Sequence, residues 1–190
     1  MTPARIVIGI SGASGALLGI RVVELLAAAG CETHLVVSRS AERTIAHEVG
    51  DDALRKVQSI AARCHAIDDV GATIASGSYR TAGMIVAPCS MRTLSAIANS
   101  SADNLLVRAA DVHLKERRRL VLLTRETPLH LGHIRLMAAA TELGAIVAPP
   151  VPAYYRRPQS VAEIIDHTAR RAIDLLDLDI PALADPWSGL

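Results

Sequence analysis

Residues 124 to 128, Thr-Arg-Glu-Thr-Pro, follow the apolar run Arg119-Leu-Val-Leu-Leu123 and set a guanidinium beside a carboxylate at the end of a strand-like segment. In open parallel α/β sheets ligands bind outside the carboxyl ends of the strands, where Arg125 can hold an anion and Glu126 can move a proton. Taken alone, an Arg-Glu pair after a strand is an ordinary surface ion pair. Three further runs give the address more weight. Ile6-Val-Ile-Gly-Ile10 leads into Ser11-Gly-Ala-Ser-Gly15, Leu35-Val-Val37 into Ser38-Arg-Ser40, and Met84-Ile-Val-Ala87 into Pro88-Cys-Ser-Met-Arg-Thr93. A sheet that aligns all four ends makes one crevice lined by small, hydroxyl-bearing and cationic residues.

The turn after the first run has Gly9, Gly12 and Gly15 spaced three apart, with Ser11 and Ser14 between them. Small residues at a strand-to-helix junction let a phosphate approach backbone N–H groups at the positive helix end. The alternative is a glycine turn that only packs a helix on a sheet. The dinucleotide fingerprint is absent, because it needs Gly-x-Gly-x-x-Gly and an acid at the end of the second strand, where this chain has Ser38 and Arg39. That favours a mononucleotide over NAD. Ser90 and Thr93 lie where the first turn of a helix exposes hydroxyls and N–H groups to a phosphate or a ring edge, with simple capping as the alternative. Arg108, Lys115, Arg125 and Arg171 are the cations available to a second anionic group.

Two other clusters carry less. Cys89 adjoins Ser90, but no base or charge in the sequence lowers its pKa, so it reads as a small buried hydrophobe. His130 and His133 are three apart on a helix without a third ligand in step, so no metal is expected.

These residues need elements to hold them. Strand-like runs alternate with helical patterns in the order of a single doubly wound α/β fold, a parallel sheet with helices on both faces. Strands are expected at 5–10, 33–37, 83–87, 119–123 and 145–148. Helices are expected near 15–29, 40–49, 51–59, 90–99, 102–115 and 130–142. Gly30, Gly50 and Gly144 serve as stops. Residues 51–80 are the hardest to read. Prolines 149, 150 and 152 force an extended connection, after which Ser160-Val-Ala-Glu163 is a capping box opening a last helix to about 176.

With 190 residues, 51% of them hydrophobic, the chain suits one domain with a full core. There is no Phe, and Tyr79, Tyr154, Tyr155 and Trp187 are the only Tyr and Trp, so the core is aliphatic and an aromatic is a candidate for recognition. A net charge of +1 gives no case for nucleic acid or a membrane surface. The first strand is too short for a signal peptide, and no run reaches the roughly 18 apolar residues of a spanning helix. Three widely spaced cysteines point to neither a disulfide framework nor a thiolate zinc site, so a soluble, cytoplasmic protein is expected.

Ile10 to Gly15, Ser76-Gly-Ser78, Pro88 to Thr93, Arg108 to Arg118, Arg125 to His133 and Pro149 to Tyr155, in this order and nearly end to end, resemble the flavin prenyltransferase family. The resemblance implies a homo-oligomeric, flavodoxin-like enzyme, dodecameric in the family, that needs no metal. It would join the dimethylallyl group of dimethylallyl monophosphate to N5 and C6 of reduced FMN, for use by a separate decarboxylase. Gly12, Ala13, Ser14, Ser38, Ser90, Met91, Arg92, Thr93 and Arg125 would fall on the FMN site. Tyr155 and Arg171 would fall on the prenyl-phosphate site, with Trp187 shaping it, and Arg108, Lys115 and Glu126 would stand at the reacting centre with Ser14. The whole of 1–190 would be one flavoprotein domain whose segment 160–190 completes the site. Small subunits of hydroxyarylic-acid decarboxylases share most of these motifs, which leaves a non-catalytic FMN carrier as the alternative. A nicotinamide or flavin oxidoreductase has only the fold class and Arg39 in its favour.

Overall fold

The computed structural model describes residues 3–187 and 189. Five apolar runs and one short polar one become strands: β1 (Arg5–Ile10), β2 (Glu32–Val37), β3 (Arg63–His65), β4 (Gly83–Cys89), β5 (Arg119–Thr124) and β6 (Ile146–Val147). Between and after them lie α1 (Ala16–Ala28), α2 (Arg39–Glu48), α3 (Ala53–Ile60), α4 (Met91–Ala98), α5 (Leu105–Lys115), α6 (Leu131–Glu142) and α7 (Val161–Asp174). The strands form one sheet in the order β3-β2-β1-β4-β5-β6, with every neighbour parallel. Without β3 the remaining five follow the flavodoxin order, so the doubly wound α/β fold expected from the alternation is the one observed.

Both faces of the sheet are covered, which is why its strands are continuously apolar. Ile6, Ile8 and Ile10 of β1 pack with α1, α2, α3 and the Ala169-Ala172-Ile173 face of α7. Val7, Met84 and Val86 point the other way, into a second layer built from α4, α5 and α6. Each of the buried Ile, Val and Met side chains among these contributes about 1.5–3 kcal/mol relative to exposure. Among the described residues no helix is long and apolar enough to cross a membrane.

Three boundaries differ from the sequence reading. β3 was not anticipated: it has three residues, Arg-Cys-His, only His65 being even half-buried, and its place at the sheet edge needs no apolar run. α5 starts at 105 because the Asn104 side chain accepts the Val107 amide at 3.1 Å. The β6 segment pairs over two residues, 146 and 147, before the prolines. The Ser160 half of the expected capping box forms, its hydroxyl accepting the Glu163 amide at 3.2 Å, while the Glu163 carboxylate reaches one residue further back and accepts the Gln159 amide at 2.9 Å.

Candidate functional site

The strand order reverses between β1 and β4, and connections there leave for opposite faces, which opens a crevice beyond their carboxyl ends. Ser11 spans that opening. Its hydroxyl, 1% exposed, donates to the Pro88 carbonyl at 2.9 Å and accepts the Ser90 amide at 2.7 Å. The start of α4 is thereby tied to the end of β1.

Three helices begin at one cavity of about 510 Å³, within the roughly 300–1,000 Å³ range of small-molecule sites. Ser38 caps α2, Ser90 caps α4 and Asn104 caps α5, and all three line it together with Gly12, Arg92 and Thr93. Each helix brings unpaired N–H groups and the positive end of its dipole, so an anionic ligand is favoured from three sides. Arg39 and Arg92 stand at the rim, 3.5 Å from Asp68 and 3.9 Å from Asp103. These exposed pairs are weak and leave both guanidiniums available to a ligand. Gly12 is required here: a Cβ at this position would lie 2.3 Å from Cβ of Ser40. The hydroxyls, amides and cations fit the phosphate and polar ring edge of a mononucleotide.

The start of α1 differs from the other three. Gly15 caps it with a φ of 104°, in the left-handed region that favours glycine. The amides of Gly15 and Ala16, expected to receive a phosphate, instead each donate to Oε2 of Glu48 at 2.9 Å. Burial alone would raise the Glu48 carboxyl, but hydrogen bonds from Ser14, Ala16 and Gly15, with Arg125 nearby, hold it below its ordinary value. The anion at this helix end is the protein's own. Glu48 carried no signal in the sequence, because it lies 33 residues from Gly15 in an unremarkable helical turn.

Arg125 and Glu126 follow β5, both exposed. The Arg125 amide donates to the Cys89 carbonyl at 3.0 Å, and Oε1 of Glu126 accepts the Thr127 amide at 2.9 Å. No ion pair joins the two side chains among the described residues, so each is available for a separate task. Ala13 lies in the turn, its amide donating to the Ser11 carbonyl, and Met91, the first residue of α4, packs against the second core.

Other proposed site residues lie elsewhere in the chain. Arg108 donates to the Ala75 carbonyl at 3.2 Å and pairs with Asp111 at 2.7 Å. Lys115 pairs with Glu116 at the far end of the helix that Asn104 starts, about 16 Å away by helix rise. Arg171 is exposed in the last turn of α7, next to Leu175, whose carbonyl is reached by Arg119 at the first residue of β5. It therefore stands at the amino ends of the strands, opposite the crevice. Tyr155 and Trp187 meet edge to face, ring centroids 4.9 Å apart. None of these five lines the cavity.

Cys89 is fully buried and its thiol is pushed up to about 12 by burial, which agrees with a packing role. His130 caps α6 through Nδ1, which accepts the Gly132 amide at 3.0 Å, and its ring lies 3.6 Å from that of His133. Among the described residues no three His, Cys, Asp or Glu side chains form a metal cluster.

The description Flavoprotein belongs to the family whose pattern matches residues 1–165. The flavin prenyltransferase UbiX of Thauera aromatica is 57% identical over 185 residues, covering 97% of this chain and 94% of that protein. The crystal structure of AnUbiX (PadA1) in complex with FMN and dimethylallyl pyrophosphate superposes with a TM-score of 0.93 at 47% identity, covering 99% of each chain. A dodecameric FMN-dependent Ubix-like decarboxylase from Escherichia coli O157:H7 superposes with a TM-score of 0.91 at 43% identity, covering 98% of this chain and all of that one. With its switch-point crevice and its similarity to these proteins over nearly its full length, the chain belongs to the flavoprotein family and, within it, to the flavin prenyltransferases.

Proposed function

We propose that this chain transfers the dimethylallyl group of dimethylallyl monophosphate to reduced FMN and releases prenylated FMN for a separate decarboxylase. The observation that carries the reading is the convergence of three helix caps, Ser38, Ser90 and Asn104, on one crevice. It occurs in a chain whose 47% identical structural relative was solved with FMN and dimethylallyl pyrophosphate. Reduced FMN supplies a nucleophilic N5 and a ring carbon, C6, that becomes bonded to the other end of the five-carbon unit.

The chain's residues divide the remaining work. Ser38, Ser90 and Thr93, with the helix ends behind them, hold the FMN phosphate and ring edge. Gly12, Ala13, Ser14, Met91 and Arg92 frame the flavin, and Arg125 supplies a full charge. Breaking the allylic carbon–oxygen bond leaves negative charge on the departing phosphate, which preorganised cations such as Arg108, Lys115 and Arg171 stabilise as it grows. Glu126 gives its proton to that phosphate and later takes the proton lost from C6, while the proton that N5 loses balances the one the allyl double bond gains as C6 closes onto it. Tyr155 and Trp187 enclose the dimethylallyl chain.

Lys115 and Arg171, at the amino ends of the strands, can serve the crevice only from another copy of the chain. Two observations support an assembly: the Ubix-like relative is dodecameric, and α6 with its preceding turn exposes Leu129, Leu131 and Ile134 on its surface. The segment from 160 onward then completes a neighbour's site. We place the protein in the cytoplasm, in keeping with Cys31, Cys64 and Cys89, all of them free thiols.

One anaerobic incubation tests the reading. Reduced FMN and either dimethylallyl monophosphate or the diphosphate are supplied, and the extracted flavin is weighed by mass spectrometry. A flavin heavier by one C5 unit is expected. Tight FMN binding with unchanged flavin mass would instead establish a carrier or decarboxylase subunit.

A further inference from the structure

From Ala153 to Arg156 the chain turns over a cavity of about 700 Å³ beside α7, and the C-terminal tail closes the other side of it. The tail is fastened to α7 as far as Ala184. Asp174 accepts the Leu183 and Ala184 amides at 2.7 and 3.0 Å, and Arg170 donates to the Leu183 carbonyl at 3.3 Å. Beyond Ala184, the attachments among the described residues all lead to the 154–156 turn. Arg156 donates to the Asp185 carbonyl at 3.2 Å and to its carboxylate at 2.7 Å, and Trp187 meets Tyr155.

We propose that Arg156 is a positioning residue for the prenyl donor: its two-point grip on Asp185 sets the Trp187 ring against Tyr155. This rests on the donor-binding role given above to Tyr155 and Trp187. The coupling is short on both sides. Arg156 adjoins Tyr155, and only Pro186 separates Asp185 from Trp187. The proline ring fixes its own φ and confines Asp185 to extended backbone, so few rotations remain between the grip and the indole. An exposed ion pair by itself would be a poor anchor, and Asp185 is 82% exposed. The planar guanidinium is what makes it directional, because it holds a carbonyl and a carboxylate of the same residue at once. Trp187 and Tyr155 are more than half exposed, so packing alone does not hold them.

Trp187 is the chain's one tryptophan, so its fluorescence reports the grip directly. The experiment compares wild type, Arg156→Gln and Arg156→Lys in acrylamide quenching of the intact protein, in FMN titration, and in donor KM against kcat. Both variants are expected to make Trp187 more accessible to acrylamide and to raise the KM for dimethylallyl monophosphate about tenfold, the cost of ordering one or two side chains on binding. FMN affinity and melting temperature should stay at wild-type values. Lys keeps the charge but not the fork, so a wild-type quenching curve and KM for Arg156→Lys would overturn the proposal. So would a fall in FMN affinity in step with donor binding, which marks general damage. A wild type that never changes flavin mass refutes the prenyltransferase reading alone, and quenching still decides whether Arg156 holds Trp187.

Discussion

Glu48 accepts the Gly15 amide at 2.9 Å, so an acid from the last turn of α2 caps the first turn of α1. The carboxyl is held below its ordinary value of 4.5 by that environment, and the sign of the effect follows. A depressed acid stabilises the fold fully above its ordinary value, and the contribution is lost as pH falls through the lower folded one. Glu48→Gln keeps an acceptor and removes the charge from the helix end. Because the group is exposed, it should cost only about 0.3–1 kcal/mol at neutral pH. The variant should also lose less stability than wild type on acidification below 4.5. Urea denaturation on either side of that pH checks both outcomes.

Ser11 holds the crevice open from beneath. In Ser11→Ala the Ser90 amide loses its buried acceptor, which costs about 1–3 kcal/mol. Because Ser90 caps α4 at the cavity, FMN affinity should fall in the same variant. Chemical denaturation and flavin titration measure the two losses, and unchanged values for both would remove Ser11 from this role.

The main strands and the crevice were readable because a sheet buried on both faces writes its strands as apolar runs with polar or glycine-rich ends. β3 escaped because an edge strand of three polar residues leaves no such run. Glu48 escaped because its partner lies across a β-strand in the chain, and only folding joins them. The distance of Lys115 and Arg171 from the crevice of their own chain has a different cause. A helix that follows a parallel strand runs back antiparallel to it, so residues at the ends of α5 and α7 must lie at the strands' amino ends. Alternation implies this geometry, whereas a family resemblance names site residues together without saying which copy supplies each.

His113, 1% exposed, should make the fold acid-sensitive. Its Nδ1 faces the Ala109 carbonyl at 2.7 Å and its Nε2 the Thr81 hydroxyl at 2.9 Å. Burial lowers its pKa from 6.5 to about 4, although the Ala109 carbonyl opposes the shift. Between those values the unfolded chain takes up a proton that the folded chain refuses, so stability falls as pH drops through the window and levels off below it. The loss should total about 3 kcal/mol. His113→Gln should be less stable at neutral pH but flatter from 6.5 to 4, as read from urea midpoints.

We assign the neighbours Arg125 and Glu126 separate tasks, so their variants should fail differently. Arg125→Ala removes a charged hydrogen-bond donor and should weaken FMN binding about tenfold or more. Glu126→Gln keeps the shape but cannot exchange protons, so kcat should fall about 100-fold or more while FMN affinity stays near wild type. Flavin titration and single-turnover kinetics separate the two. Equal loss of binding in both variants would show that they act as one ion pair after all.

The separation of Arg171 from Glu126 makes the strongest demand. Arg171 stands at the amino ends of the strands and Glu126 beyond the carboxyl end of β5, so a site that uses both must draw them from different copies. Glu126→Gln and Arg171→Ala should each be nearly inactive alone. Mixed in one assembly, a Glu126→Gln subunit can lend its intact Arg171 to the intact Glu126 of an Arg171→Ala subunit. With equal amounts and random placement in a closed symmetric assembly, about a quarter of the sites receive both wild-type residues. Coexpression of the two variants with distinct tags, followed by purification of particles carrying both, should therefore restore about that fraction of wild-type turnover. If each site were built within one chain, every chain in the mixture would still carry a defect, and the mixed particles would be as inactive as either parent.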